Sequence, residues 1–380
     1  MEKTVVKSML KCALLFCLIL SGLLAGAAPF PKPGVTAGTP VIASHLDADA
    51  YRGWLAGKEE TVQNPPTWVL WTADGPNVGH SGVRFGTDKV PGPRHLRIGF
   101  KESVNIGSLL VAGNVRVSVL KRGASYPGSM ADDNQWLPAS RFSQGNVTGK
   151  QTSSGSYALW ILPPGTTTRA LRFTHEAAET DATYEGYIAG VLALEERMIN
   201  VAPFAIPAAK SNNKAAGRLV NERFDGWGAW ENVNMDSAAN AKRPVVSGDH
   251  PEWVMLSWNN PVELDALMGV WCGFSAAEVQ VYTGPSQRHP REALETDWQT
   301  VAEPSSFDSG YPSTMWPHTF SFGRRIKTRA IRLKITSPQS GGHPHVVSKP
   351  MGGKRVWLGE VLALCGIGNT AAISIEWPKM

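Results

Sequence analysis

Thr168-Arg169-Ala170-Leu171-Arg172-Phe173 returns later in the chain as Thr328-Arg329-Ala330-Ile331-Arg332-Leu333. A second stretch, Tyr187-Ile188-Ala189-Gly190-Val191-Leu192-Ala193-Leu194, returns as Trp357-Leu358-Gly359-Glu360-Val361-Leu362-Ala363-Leu364, in the same order and at nearly the same spacing. Upstream, Leu96, Ile98 and Phe100 match Val254, Leu256 and Trp258, Trp136 matches Trp298, and Gly53-Trp54 matches Gly226-Trp227. Solenoid units repeat every ~20 to 50 residues, so a period about three times longer makes each copy a whole domain.

Within each copy the apolar period is two. Ile331, Leu333 and Ile335 alternate with Arg332 and Lys334, and Val115, Val117 and Val119 alternate with Arg116 and Ser118, the pattern of strands with one face buried. The 38 Gly and 27 Pro of the 380 residues exclude a mainly helical chain. Short strands between Gly/Pro-rich loops predict an all-β protein of two tandem sandwich domains, since two sheets must bury their apolar faces on each other.

Expected boundaries follow from the repeat: an extended segment at 28–50, a first sandwich at 51–198, a linker at 199–217 read from the Ala/Pro run and Ser211-Asn212-Asn213-Lys214, and a second sandwich at 218–369. A tail at 370–380 completes the chain, either an extra edge strand or the start of a linker. At the other end, Lys3, Lys7 and Lys11 precede the apolar run Cys12 to Leu20, and Ala25-Gly26-Ala27 supplies small residues for cleavage. This predicts a signal peptide over 1–27 and a secreted, periplasmic or extracellular mature protein, with a retained anchor as the alternative. A net charge of +5, partly owed to that leader, offers no basic footprint for nucleic acid. Asn146-Val147-Thr148 is a glycosylation sequon wherever the source glycosylates exported chains.

The succession of signals resembles the discoidin family, also called the coagulation factor five/eight type C or galactose-binding-like domain. In the second copy the resemblance is carried by Asp225-Gly226 before Trp230, then Trp253-Val254-Met255-Leu256-Ser257-Trp258, Val279-Gln280-Val281-Tyr282 before Trp298, Arg329 to Leu333, and Leu358 to Ala363. It implies jelly rolls whose loops at one end bind sugars, lipid headgroups or proteins. It also implies a structural Ca²⁺ in the second domain, with Asp225 and Glu360 at the resembling positions, where the first copy has Arg52 and Gly190; hard oxygen ligands suit that ion.

Cys272 and Cys365 are the two cysteines outside the leader, and the first copy lacks both counterparts together. Joint absence predicts a Cys272–Cys365 disulfide in an oxidising compartment; two free buried thiols are the alternative. His343-Pro344-His345 has no further ligand nearby and reads as loop. No G-x-S-x-G, H-E-x-x-H or phosphate loop is present, so the expectation is a binding protein rather than an enzyme.

Sugars are gripped by an aromatic against the C–H face and polar side chains at the rim. The candidates for that role are Trp227, Trp230, His250, Trp316, His318 and Arg324, all placed in loops of the second copy, whereas Trp253, Trp258, Trp298 and Trp357 are assigned to the core. The expected partner is carbohydrate or a glycoconjugate; an adhesive contact with an extracellular protein, or service to a secreted hydrolase, is the alternative.

Overall fold

The computed structural model describes residues 46–55, 58–60, 83–85, 92–113, 115–142, 157–177, 186–222, 229–233, 240–302, 317–338 and 351–368. The leader, Asn146, Asp225, Trp227, Trp316, His343, His345 and the tail at 370–380 lie outside them.

Apolar alternation sets the strands of the first half: β1 (Leu46–Leu55), β2 (Lys58–Glu60), β3 (Val83–Phe85), β4 (Gly92–Asn105), β5 (Ser108–Gly113), β6 (Arg116–Leu120), β7 (Trp136–Pro138), β8 (Ser140–Phe142), β9 (Tyr157–Ile161), β10 (Thr167–Ala177) and β11 (Gly186–Leu194). They form two antiparallel sheets, ordered β2-β1-β4-β10-β6-β7 and β3-β11-β5-β9-β8. Leu96, Ile98, Phe100, Val117, Leu171 and Phe173 point inward and meet Leu109, Val111 and Trp160 of the other sheet. Their neighbours in sequence, His95, Arg97, Ser118 and Arg172, occupy the opposite face. That face is covered too: the segment between β6 and β7 folds back over it and packs Met130 and Trp136 on Leu120 and Ala170.

The second half contains β12 (Met198–Asn200), β13 (Ile206–Ala209), β14 (Trp230–Glu231), β15 (Glu252–Cys272), β16 (Phe274–Tyr282), β17 (Trp298–Ala302), β18 (Pro317–Pro338) and β19 (Trp357–Gly366). Here β15 and β18 are long strands that bend and serve both sheets. The first part of β15 pairs with the last part of β18, Glu252↔Ile335 to Ser257↔Ala330, and the remainder pairs with β19 and the start of β18. The resulting orders, β13-β15-β18-β16-β17 and β18-β15-β19, repeat β1-β4-β10-β6-β7 and β9-β5-β11 of the first half, and β12 adds to the edge of β19. A separate core of Trp230, Trp258, Leu264, Phe274, Ile331, Leu333 and Leu358 lies between them.

The repeated Thr-Arg-Ala marks the same irregularity twice. Register shifts between Thr168 and Ala170, and between the pairings of Ala330 and Thr328, which is a β-bulge. At both, the threonine hydroxyl takes over hydrogen bonds the ladder has lost. Thr168 Oγ1 donates to main-chain oxygen at Leu120 or Ala170 and accepts the Ala170 N–H; Thr328 Oγ1 does the same with Tyr282 and Ala330.

The stretch 199–217, expected as a linker, is built into the second half. β12 pairs with β19, β13 pairs with β15, and residues 213–220 form a 3-10 turn that buries Ala216 and Leu219. Small Ala208 and Ala209 let the run lie flat on β15, and Pro207 is tolerated at a strand edge, where its missing N–H costs no ladder bond. Only three residues separate β11 from β12. Across them Arg197 donates from Nε to the Leu162 carbonyl of the first half and from Nη1 to the Gly368 carbonyl of the second. Gly107 touches this connection so closely that a Cβ would fall 2.3 Å from the Glu196 carbonyl carbon.

Cys272 and Cys365 are both free thiols, which overturns the expected disulfide. Cys272 is opposite Leu358 in the β15–β19 ladder, and Cys365 is seven positions further along β19. At ~3.4 Å per residue that is roughly 24 Å, against a Cα separation below about 7 Å for a bond. Burial raises both thiols, Cys365 to about 11.

Candidate functional site

An arginine, a tryptophan and an acid recur on the outer face of both halves. The second arginine of each repeat, Arg172 or Arg332, is buried and lies over the ring of Trp136 or Trp298, with the guanidinium carbon 5.0 and 4.5 Å from the ring centre. Asp133 and Glu295, each three residues before its tryptophan, close the clamp at 2.6 and 2.8 Å. Both acids stand on short 3-10 turns, and the arginine hydrogen bond holds each carboxyl below its ordinary value. A planar guanidinium suits this task because it stacks on a ring while its edges donate in plane.

What surrounds the clamp differs between the halves. In the second, Gln280 Oε1 accepts from Arg332 Nε and Nη2 at 2.9 and 2.6 Å. Gln280 Nε2 in turn donates to Glu278 Oε2 and approaches Thr300 Oγ1, while Trp253 packs beside Met255 and Tyr282. In the first half the ladder puts Ser118 where Gln280 stands, Thr174 for Lys334, His95 for Trp253 and Arg116 for Glu278.

Three of these four side chains are smaller than their counterparts, and a cavity of about 570 Å³ lies here, bounded by His95, Arg116, Ser118, Asp133, Arg172 and Thr174, with Trp136 and Trp160 in its wall. The volume is that of a small-molecule site. His95 and Thr174 share a 2.9 Å hydrogen bond between Nδ1 and Oγ1. Burial first, and then the Arg172 charge, hold His95 down at about 4, so at neutral pH it is an uncharged hydrogen-bonding group. Arg172 is anchored on Ser118 Oγ and the Met130 carbonyl. Both indoles are nearly covered, as are His95, Ser118, Arg172 and Thr174.

The residues expected to bind sugar are not brought together. Trp230 is wholly buried in the second core, where its Nε1 donates to the Ser211 carbonyl at 3.2 Å; β14 pairs it with Leu358, which turns the ring away from solvent. His250 is exposed at the start of β15, by the Ile335 end of β18. His318 and Arg324 belong to β18 itself rather than to a loop, because residues 317–321 pair with 270–266 of β15. Arg324 is exposed beside Gly323, whose φ of +66° marks the break in that ladder. His250 thus stands beside one end of the ladder and Arg324 at the break within it. Of the tryptophans assigned to the core, Trp258 and Trp357 are buried, and Trp253 and Trp298 are half-buried on the outer face.

Glu360 is fully buried in β19. Its Oε1 accepts the Glu222 N–H at 3.2 Å and the Asn221 N–H adds a second bond, while Oε2 has no hydrogen-bond partner among the described residues. Burial pushes this carboxyl well above its usual range. Glu222 is held at φ +55°, a costly conformation for a side-chain-bearing residue. A buried carboxylate with one oxygen unsatisfied fits a hard cation, and the chain continues from Glu222 toward Asp225. Among the described residues no three His, Cys, Asp or Glu side chains gather to hold a metal.

Sequence reasoning missed the cavity. The available signal was the exchange of Gln280 and Lys334 for Ser118 and Thr174 at matched positions of the repeat.

No family model and no curated protein matches the chain. Among solved structures the chain is similar to a fucolectin from striped bass serum, at 9% identity over 76% of this chain and 86% of that one, with a TM-score of 0.27. It is similar also to the family 32 carbohydrate-binding module of C. perfringens NanJ in complex with galactose, at 10% identity over 44% and 98%, TM-score 0.30. Allantoicase from Saccharomyces cerevisiae matches at 9% identity over 87% and 90%, TM-score 0.26. TM-scores at that level mark a loose likeness, and the chemistry of the site is read from its own residues.

Proposed function

We propose that this chain is an exported, non-catalytic protein whose sandwich halves bind carbohydrate. The observation that carries the reading is the first-half cavity. It has the volume of a small ligand, is walled by indole edges, and presents hydroxyl, imidazole, guanidinium and carboxylate groups, the set that matches a ring of hydroxyls. A second binding surface is proposed at the start of β18, where Trp316 precedes the strand and His318 and Arg324 follow within it; Trp227 belongs to the same proposal. Glu360 and Asp225 would hold a Ca²⁺ that neutralises the buried carboxylate and ties the 221–222 turn to β19.

The test is a glycan array probed with the mature chain and with Trp316→Ala and Trp227→Ala. Binding to one saccharide class supports the reading, and its loss in either variant assigns that tryptophan to the ligand. Silence across the array, with retained adhesion to an extracellular protein, overturns it. Turnover of any bound glycan overturns the non-catalytic part.

A further inference from the structure

The repeat lets one half serve as the control for the other at the corner where the two halves meet. In the second half that corner is closed from within. Arg325 donates to Asp265 at 3.1 and 2.8 Å and to the Gly366 carbonyl at 2.6 Å, and Asp265 Oδ2 accepts the Gly366 N–H. By the register of the ladders, Gly107, Gly165 and Glu196 of the first half stand where Asp265, Arg325 and Gly366 stand in the second. Glycine has neither a carboxylate nor a guanidinium, so the first half cannot close its corner in that way. The connection between the halves closes it instead. Ser108 Oγ donates to the Glu196 carbonyl at 2.8 Å and accepts the Met198 N–H at 2.6 Å. Arg197, itself buried, donates from Nε to the Leu162 carbonyl of the first half at 2.9 Å and from Nη1 to the Gly368 carbonyl of the second at 3.1 Å. Its own carbonyl accepts the Ile367 N–H of the second half.

We propose that Arg197 locks the two halves in one relative orientation, so that the chain presents its two outer faces at a single preset span. Motion between the domains of one chain is the ordinary expectation where few contacts cross the connection. Three features oppose it here. The connection is only three residues long, which leaves little slack. The Glu196 carbonyl, the Arg197 carbonyl and the Met198 N–H are each bonded, so its backbone has partners along its length. A guanidinium donates from a rigid plane, so two carbonyls held by one such group cannot turn about it independently. Each half keeps a core of its own, and the lock therefore sets orientation rather than the folding of either half. A ligand or surface that engages both halves has to match that span, whereas a flexible tandem would sample many. The inference concerns orientation alone and does not depend on the carbohydrate reading.

The test places spin labels at Arg122→Cys in the first half and Gln287→Cys in the second, both exposed positions, in a Cys365→Ser background of the mature chain. Double electron–electron resonance then reads the distribution of distances between the halves. The parent should give one narrow distribution. Arg197→Ala should broaden it, and so should Arg197→Lys, which keeps the charge and loses the fork. Arg325→Ala is the control, since it opens the second half's own corner; it should lower the melting temperature and leave the distribution narrow. Hydrogen exchange supplies a second readout. In Arg197→Ala the Met198 and Ile367 amides should exchange roughly tenfold faster or more, while the Leu171 and Ile331 amides of the two cores keep the parent's rates. Ser108→Ala, which removes only the hydroxyl bridging Glu196 and Met198, should shift both readouts in the same direction by less, and it carries the test if Arg197→Ala does not fold. A broad distribution in the parent overturns the lock. A distribution that stays narrow in both Arg197 variants, with only the melting temperature lowered, also overturns it, because Arg197 would then stabilise the fold without setting orientation. Equal broadening by Arg325→Ala would move the hinge away from Arg197 and refute the assignment.

Discussion

Replacing Trp230 by alanine separates a core residue from a ligand residue. The indole is fully buried between β19 and the 3-10 turn at 213–220, and a tryptophan buries ~150 to 250 Å². At ~25 cal/mol per Å² that is about 4 to 6 kcal/mol of transfer energy, consistent with the ~3 to 5 kcal/mol of measured Trp→Ala changes. The variant also strands the Ser211 carbonyl that Nε1 now satisfies. For a unit of the size of the second half, each kcal/mol lowers Tm by roughly 2 to 4 °C, so Trp230→Ala should lose about 10 °C or more in the second-half transition. Trp230→Phe, keeping most of the ring, should recover over half of that loss. Differential scanning calorimetry with the first-half transition as internal reference reads the effect. A Trp230→Ala protein with unchanged Tm and abolished glycan binding would refute the burial argument and restore the ring to the ligand surface.

Glu360 should report a cation. Its folded pKa is raised by burial, so the ion-free protein is most stable below the unfolded carboxyl value and loses stability as pH rises from there toward the raised folded value. Glu360→Gln should therefore raise Tm at pH 7 in chelator, and only the parent should gain Tm on adding Ca²⁺; a gain of equal size in both would exclude Glu360 as a ligand. Asp133 and Glu295 work in the opposite sense. Both are depressed, by hydrogen bonds from Arg172 and Arg332, so their contributions are present above the ordinary carboxyl range and are lost as pH falls below it; Asp133→Asn with Glu295→Gln should flatten the acid limb of a Tm-against-pH curve, and an unaltered limb would show that the clamps add nothing. Thiol titration of the unreduced protein should find Cys272 silent until unfolding and Cys365 slow at pH 8, with two reactive thiols after denaturation outside the leader; fewer than two would restore the disulfide.

The strands were legible because a half-buried strand writes its geometry directly into alternation, as Ile331, Leu333 and Ile335 do against Arg332 and Lys334. Alternation says which residues face the core and nothing about what covers the other face. For that reason Ser118, alternating with Val117 and Val119, carries no sign of being covered, yet it, Arg172 and Thr168 are all buried, and Arg172 is held by the Met130 carbonyl of the segment before Trp136. The 199–217 run was misread for a related cause. Ala and Pro break local patterns and suggest a linker, but pairing with β15 is a contact between residues some fifty positions apart, which no local pattern carries.

The cysteines and tryptophans divide in the same way. By itself the sequence determined a duplicated all-β pattern, since that depends on periodicity and on similarity between parts of one chain. Only the tertiary structure decided that Cys272 and Cys365 stand apart along one ladder, that Trp230 is core, and that the exchange of Gln280 for Ser118 opens a cavity. Each of these turns on distances between segments remote in sequence, and such distances are set by sheet register, where a shift of one residue reverses every side chain's face.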